Sequence, residues 1–307
     1  MLRLSLLIVG LLIVINQKFF FPASEQAQTF IFLIGIVIIG IPHGAADLLI
    51  SMKDADNKRV LFSYVKFFTI YIGRLFGFLL LLLFLPSIGI LFFLLIAAFH
   101  FGETDLFIFE TDSFKGKLLS LSYGLVIINV ILLNHFEQVS VLLLLFKSGQ
   151  NNFQLINWVS QHTSIILALS ILFFLSTIFI YFRRKNIKAD VYKRFTINFV
   201  VITIIVYYLP LLLGFTFYFV LWHSVMSLRN ITSYLQKDNN FSNLNFIKQI
   251  SFYSFLAILG VVLFGMTGFM FLSHSSLVIY SFLGLAVLTA PHVQVMHTMY
   301  HNLRFNK

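Results

Sequence analysis

Nine histidines stand in the sequence, and four of them lie deep inside separate long apolar runs. His43 sits in Ile41-Pro42-His43-Gly44-Ala45-Ala46-Asp47 and His100 in Phe99-His100-Phe101-Gly102-Glu103-Thr104-Asp105. His223 follows Leu221-Trp222, and His292 follows Ala290-Pro291. Neutral imidazole is a good ligand for iron, copper, zinc or nickel. Helical bundles build metal sites from side chains on facing helices. His43, His100, His223 and His292 are therefore the expected metal ligands. Asp47 stands four residues after His43, and Glu103 and Asp105 stand three and five after His100. These carboxylates are expected to accept a hydrogen bond from a non-ligating ring nitrogen and so set its tautomer. Gly44 and Gly102 adjoin two of the histidines, where a missing side chain lets a helix, an ion or a ligand come close.

His297 and His301 lie further along the run that holds His292. They could stand behind the ligands, join them or meet lipid headgroups. His135, His162 and His274 fall near the outer ends of apolar runs and are expected to be interfacial, without chemistry. Pro42 and Pro291 imply either a plain kink or a frayed turn that exposes backbone beside the site. Phenylalanine is abundant, at 39 residues, and the run Phe215-Thr216-Phe217-Tyr218-Phe219 precedes Trp222-His223. Aromatic rings pack well on flat apolar π-systems. Phe215, Tyr218 and Trp222 are the expected lining for such a substrate.

These residues need elements that can hold them within an apolar medium. The 307-residue chain is 59% hydrophobic and 10% charged, so most of it cannot face water. Runs of about 20 apolar residues recur along it, as spanning helices require. The expected fold is an all-α, polytopic transmembrane bundle in a single domain over residues 1–307. About ten spans are expected, with eight as the lower bound, near 4–22, 29–51, 64–85, 88–109, 117–135, 163–182, 195–209, 211–234, 250–272 and 276–301. Leu209-Pro210 should break the seventh from the eighth. The segment from Val139 to Trp158 is expected to be an outer loop with a short interfacial helix.

The charge pattern orients this bundle. With both termini cytoplasmic, loops rich in Lys and Arg, such as 183–194, fall inside, and outer loops hold little beyond Lys18 and Lys147. The net charge of +10 thus belongs to membrane topology and not to nucleic acid. On this reading the four histidines sit about 12–16 residues from the outer ends of their spans, roughly 18–24 Å deep. An ionisable group at such depth is costly without a partner. The chain has no cysteine, which excludes disulfides and thiolate chemistry. No phosphate-binding or dinucleotide fingerprint is present.

Pro42-His43-Gly44-Ala45-Ala46-Asp47, His100-Phe101-Gly102-Glu103-Thr104-Asp105, Trp222-His223-Ser224 and Thr289-Ala290-Pro291-His292 occur in an order and spacing that resembles the bacteriorhodopsin-related (Brp/Blh) β-carotene 15,15′-dioxygenases. The resemblance covers nearly the whole chain from His43 onward. It implies a multi-pass enzyme of the inner (cytoplasmic) membrane, with Fe(2+) as cofactor and lipid around it. Such an enzyme cleaves β-carotene, or a related carotenoid, with O2 at the central double bond to give retinal. The family's histidine ligands map onto His43, His100 and His223. Members commonly carry a further histidine one helical turn later, where Ser227 stands in this chain. His292 or His297 could take that place, or the protein could supply three ligands. Two other functions fit the residues: a membrane metal-ion transporter, and a carotenoid- or retinal-binding protein without catalysis.

Overall fold

The structure, a computed structural model, describes residues 1–144, 153–183, 187–236, 241–269 and 277–305. His274, Lys147, Arg184, Lys185, Lys237 and Lys307 lie outside the described residues. Helix α1 (Leu2–Ile15) runs into a π-helical segment, π1 (Asn16–Phe20). A long rod follows, made of α2 (Glu25–Gly35), π2 (Ile36–Gly40), α3 (Ile41–Ala45) and α4 (Asp47–Asn57). Then come α5 (Tyr64–Phe84), α6 (Pro86–Asp105) and α7 (Phe114–Leu133). Two short helices, α8 (Phe136–Leu144) and α9 (Phe153–Gln161), precede α10 (Thr163–Phe182) and α11 (Ala189–Tyr208). The rest comprises α12 (Leu211–Phe215), π3 (Thr216–Ser224), α13 (Val225–Leu235), α14 (Asn243–Phe269) and α15 (Leu277–Phe305). Among the described residues there is no strand.

Local chemistry sets many of the ends. Ser24, Ser63 and Ser113 each accept a backbone N–H of the helix they precede, as N-caps do. Leu209 is extended (φ −80°, ψ 145°) before Pro210, so α11 stops where the proline demands it. Of the stretch between Val139 and Trp158, residues 139–144 and 153–158 belong to two short helices, α8 and α9, and residues 145–152 lie outside the described residues. At nine residues each, about 14 Å, neither can cross a hydrocarbon layer of about 30 Å.

Among the described residues, seven helical segments are long and apolar enough to cross a membrane. They correspond to seven of the expected spans, and α11, α14 and α15 fall on the other three. The protein is thus built as a membrane protein, and helix α10 shows the logic. Its outer face carries Ile165, Leu169, Leu172 and Phe179, each more than half exposed. Its inner face carries Ser170 and Thr177, which pair with Asn129 and Ser122 of α7 at 2.6 Å. Apolar groups outward and polar groups inward suit a lipid solvent.

Helices α6 and α7 form the tightest pair. A Cβ on Gly102 would strike the Ser120 carbonyl, and one on Gly124 would strike that of Ala98. The close approach expected at Gly102 is therefore a helix–helix contact. Gly44 is different: a Cβ there would meet nothing within 4 Å.

Candidate metal centre

Two widened turns adjoin two of the histidines, His43 and His223. Pro42 has no N–H for the preceding turn, and π2 ends two residues before it. The Gly40 carbonyl, three residues earlier, accepts a hydrogen bond from His43 Nδ1 at 2.7 Å. His43 is thereby tied to the backbone of the preceding turn. Opposite, π3 carries His223 at its end. Such π-helical widening often marks functional sites. A Cβ on Gly35 or Gly40 would press on Val220 or Phe219 at 3.2 Å, so glycines let π2 and π3 approach closely.

The four imidazoles converge. His43, His100, His223 and His292 are all buried, at no more than 5% exposure. Ring centroids are 5.4 Å apart for His43–His223, 4.7 Å for His43–His292, 4.7 Å for His100–His223 and 5.0 Å for His100–His292. One ring nitrogen each from His43, His100 and His223 lie within 4.8 Å of one another. A shared ion with bonds of about 2.1 Å needs separations up to about 4.2 Å, a difference that small side-chain rotations absorb. The Nε2 atoms of His100 and His223 stand 3.2 Å apart. Two bonds of about 2.1 Å meeting at roughly 100° span that distance.

Hydrogen bonding decides which nitrogens are free. A carbonyl only accepts, so His43 carries its proton on Nδ1 and leaves a lone pair on Nε2. His292 Nδ1 donates to Asp47 Oδ1 at 2.8 Å, which likewise frees Nε2. Both Nε2 atoms are buried without a hydrogen-bond partner. Leaving a buried acceptor unsatisfied costs about 1–3 kcal/mol, which a cation at the centre would relieve. The donor set therefore fits a metal ion. His100 and His223 differ, because their Nδ1 atoms are the buried ones without partners.

The carboxylates take other partners than the spacing suggested. Asp47 backs His292, not His43, because the Gly40 carbonyl has already taken His43 Nδ1. Tyr71 of α5 donates to the other Asp47 oxygen at 2.9 Å. Glu103 faces away from His100 and bonds His297 Nδ1 at 2.7 Å, with Arg304 3.4 Å away. His297 is thereby tied to Glu103. Asp105 accepts from Tyr123, Tyr218 and Trp222, and among the described residues it bonds no histidine. These carboxylates meet partners far along the chain, His292 for Asp47 and His297 for Glu103, so spacing within one helix could not assign these pairs. Ser227 is fully buried beside Tyr300. His135 and His162 bond the Ile131 and Trp158 carbonyls, away from the cluster.

The aromatic residues divide into two faces of π3. Phe215 stacks on Phe219 (5.4 Å), and Phe219 stacks on His223 (6.0 Å, 16°) and meets His43 edge-on at 5.9 Å. Phe101 lies 4.6 Å from the His223 ring. Phe32 and Phe282 extend this wall from Phe215. Tyr218 and Trp222 instead turn their polar ends to Asp105, so the expected lining role does not describe where those ends point. Phe219, four residues before His223, was open to discovery from helical spacing. Tyr71 was not, since nothing local links it to Asp47.

A family model described as Beta-carotene 15,15'-dioxygenase matches residues 34–300. The chain belongs to this family. The matched stretch contains all four clustered histidines and both widened turns, and it leaves out α1. No curated protein and no solved structure matches the chain. Family membership brings a carotenoid substrate and a membrane setting with it, and the histidine cluster adds a place where a metal could be held.

Proposed function

We propose that the protein is an iron(II)-dependent oxygenase that cleaves β-carotene, or a related carotenoid, at its central 15,15′ double bond to give retinal. The observation that carries this reading is the convergence of His43, His100, His223 and His292, with buried lone pairs on His43 and His292 that no protein donor meets. Iron held there would bind O2 and supply the redox chemistry that alkene cleavage needs. His43, His100 and His223 are the proposed core of the ligand set, with His292 as the fourth member in place of a histidine at Ser227.

The chain's own residues have three tasks. Gly40 and Asp47 hold His43 and His292 with Nε2 turned inward. Phe101, Phe215 and Phe219 present flat apolar faces beside the histidines, which suits a polyene and excludes water. The open space at Gly44 leaves room next to His43 for a flat chain. A carotenoid dissolves in lipid and arrives sideways, so the site belongs inside the bilayer. We place the protein in the cytoplasmic membrane as one domain, with both termini inside, because the basic loops lie on one side in that arrangement. A transporter is less well supported, since Asp47, Glu103 and Asp105 are all engaged and phenylalanines flank the cluster.

Coexpression in β-carotene-producing cells tests the reading. The orange colour should fade and retinal should appear on chromatography, and His43→Ala or His100→Ala should abolish both. Persistent colour with wild-type protein, or undiminished retinal from either variant, would overturn it.

A further inference from the structure

We propose that Asp105 is a positioning residue that holds π3 in register with α6, so that His223 and His100 face one another. The inference rests on the reading that the histidine cluster holds a metal ion.

Asp105 ends α6, five residues after His100, and its carboxylate is buried. Oδ1 accepts from Trp222 Nε1 at 2.8 Å. Oδ2 accepts from Tyr218 at 3.1 Å and from Tyr123 at 2.8 Å. Arg3 of α1 donates to the Asp105 backbone carbonyl at 3.1 Å, and its guanidinium stands 6.0 Å from the Trp222 ring. Among the described residues, none of these side chains hydrogen-bonds a histidine. Two of the three side-chain donors belong to π3, however, and Trp222 immediately precedes His223. A carboxylate on one histidine-bearing element thus grips the other through two bonds. The wide turn makes this grip necessary. A π-helical segment has a wider turn and a different register from an α-helix, so its side-chain directions need an outside tie. The result is read at the two Nε2 atoms, 3.2 Å apart. A displacement of well over 1 Å there would carry the pair beyond the roughly 4.2 Å that a shared ion can span.

Tyr123 supplies the internal control. It donates to the same oxygen as Tyr218, at a shorter distance, but from α7, which carries no clustered histidine. Deleting either hydroxyl with phenylalanine removes one bond to Oδ2 and almost no volume. Only the Tyr218 change loosens π3.

The test uses full-length protein in detergent, stripped of metal with a chelator and titrated with cobalt(II), whose visible d–d bands report binding and geometry. Tyr218→Phe and Trp222→Phe should weaken cobalt binding by roughly 10- to 100-fold and shift the bands. Tyr123→Phe should bind within about twofold of wild type with the same bands, although it loses an equivalent bond. Thermal unfolding of the metal-free proteins shows whether each variant folds. Unchanged cobalt affinity and bands in both π3 variants would overturn the proposal. So would equal weakening in Tyr123→Phe, which would make Asp105 a support of general stability. If wild-type protein binds no cobalt, the metal reading itself fails, and that result is distinct from either outcome.

Discussion

At the scale of the residue, a histidine whose Nδ1 faces a carbonyl or a carboxylate has only one useful tautomer. His43 and His292 are both in that position, and both aim an unpaired Nε2 into a buried space. Asp47 matters more for His292 than for its sequence neighbour His43, and Tyr71 anchors it from α5. Replacing Asp47 with asparagine keeps the shape and removes the charge that strengthens the His292 bond. Retained iron after dialysis against a chelator should fall, with affinity down about tenfold or more, while far-ultraviolet circular dichroism stays unchanged. Iron retention equal to wild type would remove Asp47 from this role.

At the scale of the element, α6 is the organising helix. It carries His100 toward the cluster, Glu103 toward His297 and Arg304, and Asp105 toward π3. These three tasks need a fixed helix, and its contact with α7 provides one. The backbones approach at Gly102 and Gly124 so closely that any side chain there would meet a carbonyl. Gly102→Ala should therefore destabilise the protein by about 1–3 kcal/mol, read as a lower unfolding temperature in detergent. Gly44→Ala, where a Cβ has open space, should leave that temperature unchanged or slightly raised. Equal losses in the two variants would show that helix contact is not what distinguishes these glycines.

At the scale of the whole molecule, the C-terminal helix α15 is tied to the rest at both levels. High on the helix, His292 joins the cluster. Lower down, Arg304 makes a paired contact with Asp112 in the α6–α7 loop, at 2.7 and 2.8 Å. Burial pushes the Asp112 carboxyl up, but the Arg304 hydrogen bonds and charge outweigh it and hold the group below its usual range. A carboxyl depressed in the folded state stabilises fully above its unfolded value, about 4, and loses that effect as pH falls through the lower folded value. The stability gap between wild type and Asp112→Asn should thus be constant near neutrality and shrink as pH drops from about 5 toward 3. Thermal unfolding across that range checks it; a gap that widens in acid would contradict the pairing.

Composition and periodicity were enough to make the chain a helical membrane protein, because apolar runs of spanning length have no other stable home. They were also enough to single out His43, His100, His223 and His292, since an ionisable group in such a run is conspicuous whatever surrounds it. The break at Leu209-Pro210 was legible for an equally local reason. What the carboxylates do was not. Asp47 and His292 are 245 positions apart, and Asp105 and Trp222 are 117 apart. Those bonds depend on how α6, α15 and two π-helical turns cross, and a widened turn rotates every later side chain away from the direction that ideal helical spacing assigns. Distance along the chain governs which groups exist on a helix face; only the packing of one helix against another decides which of them meet.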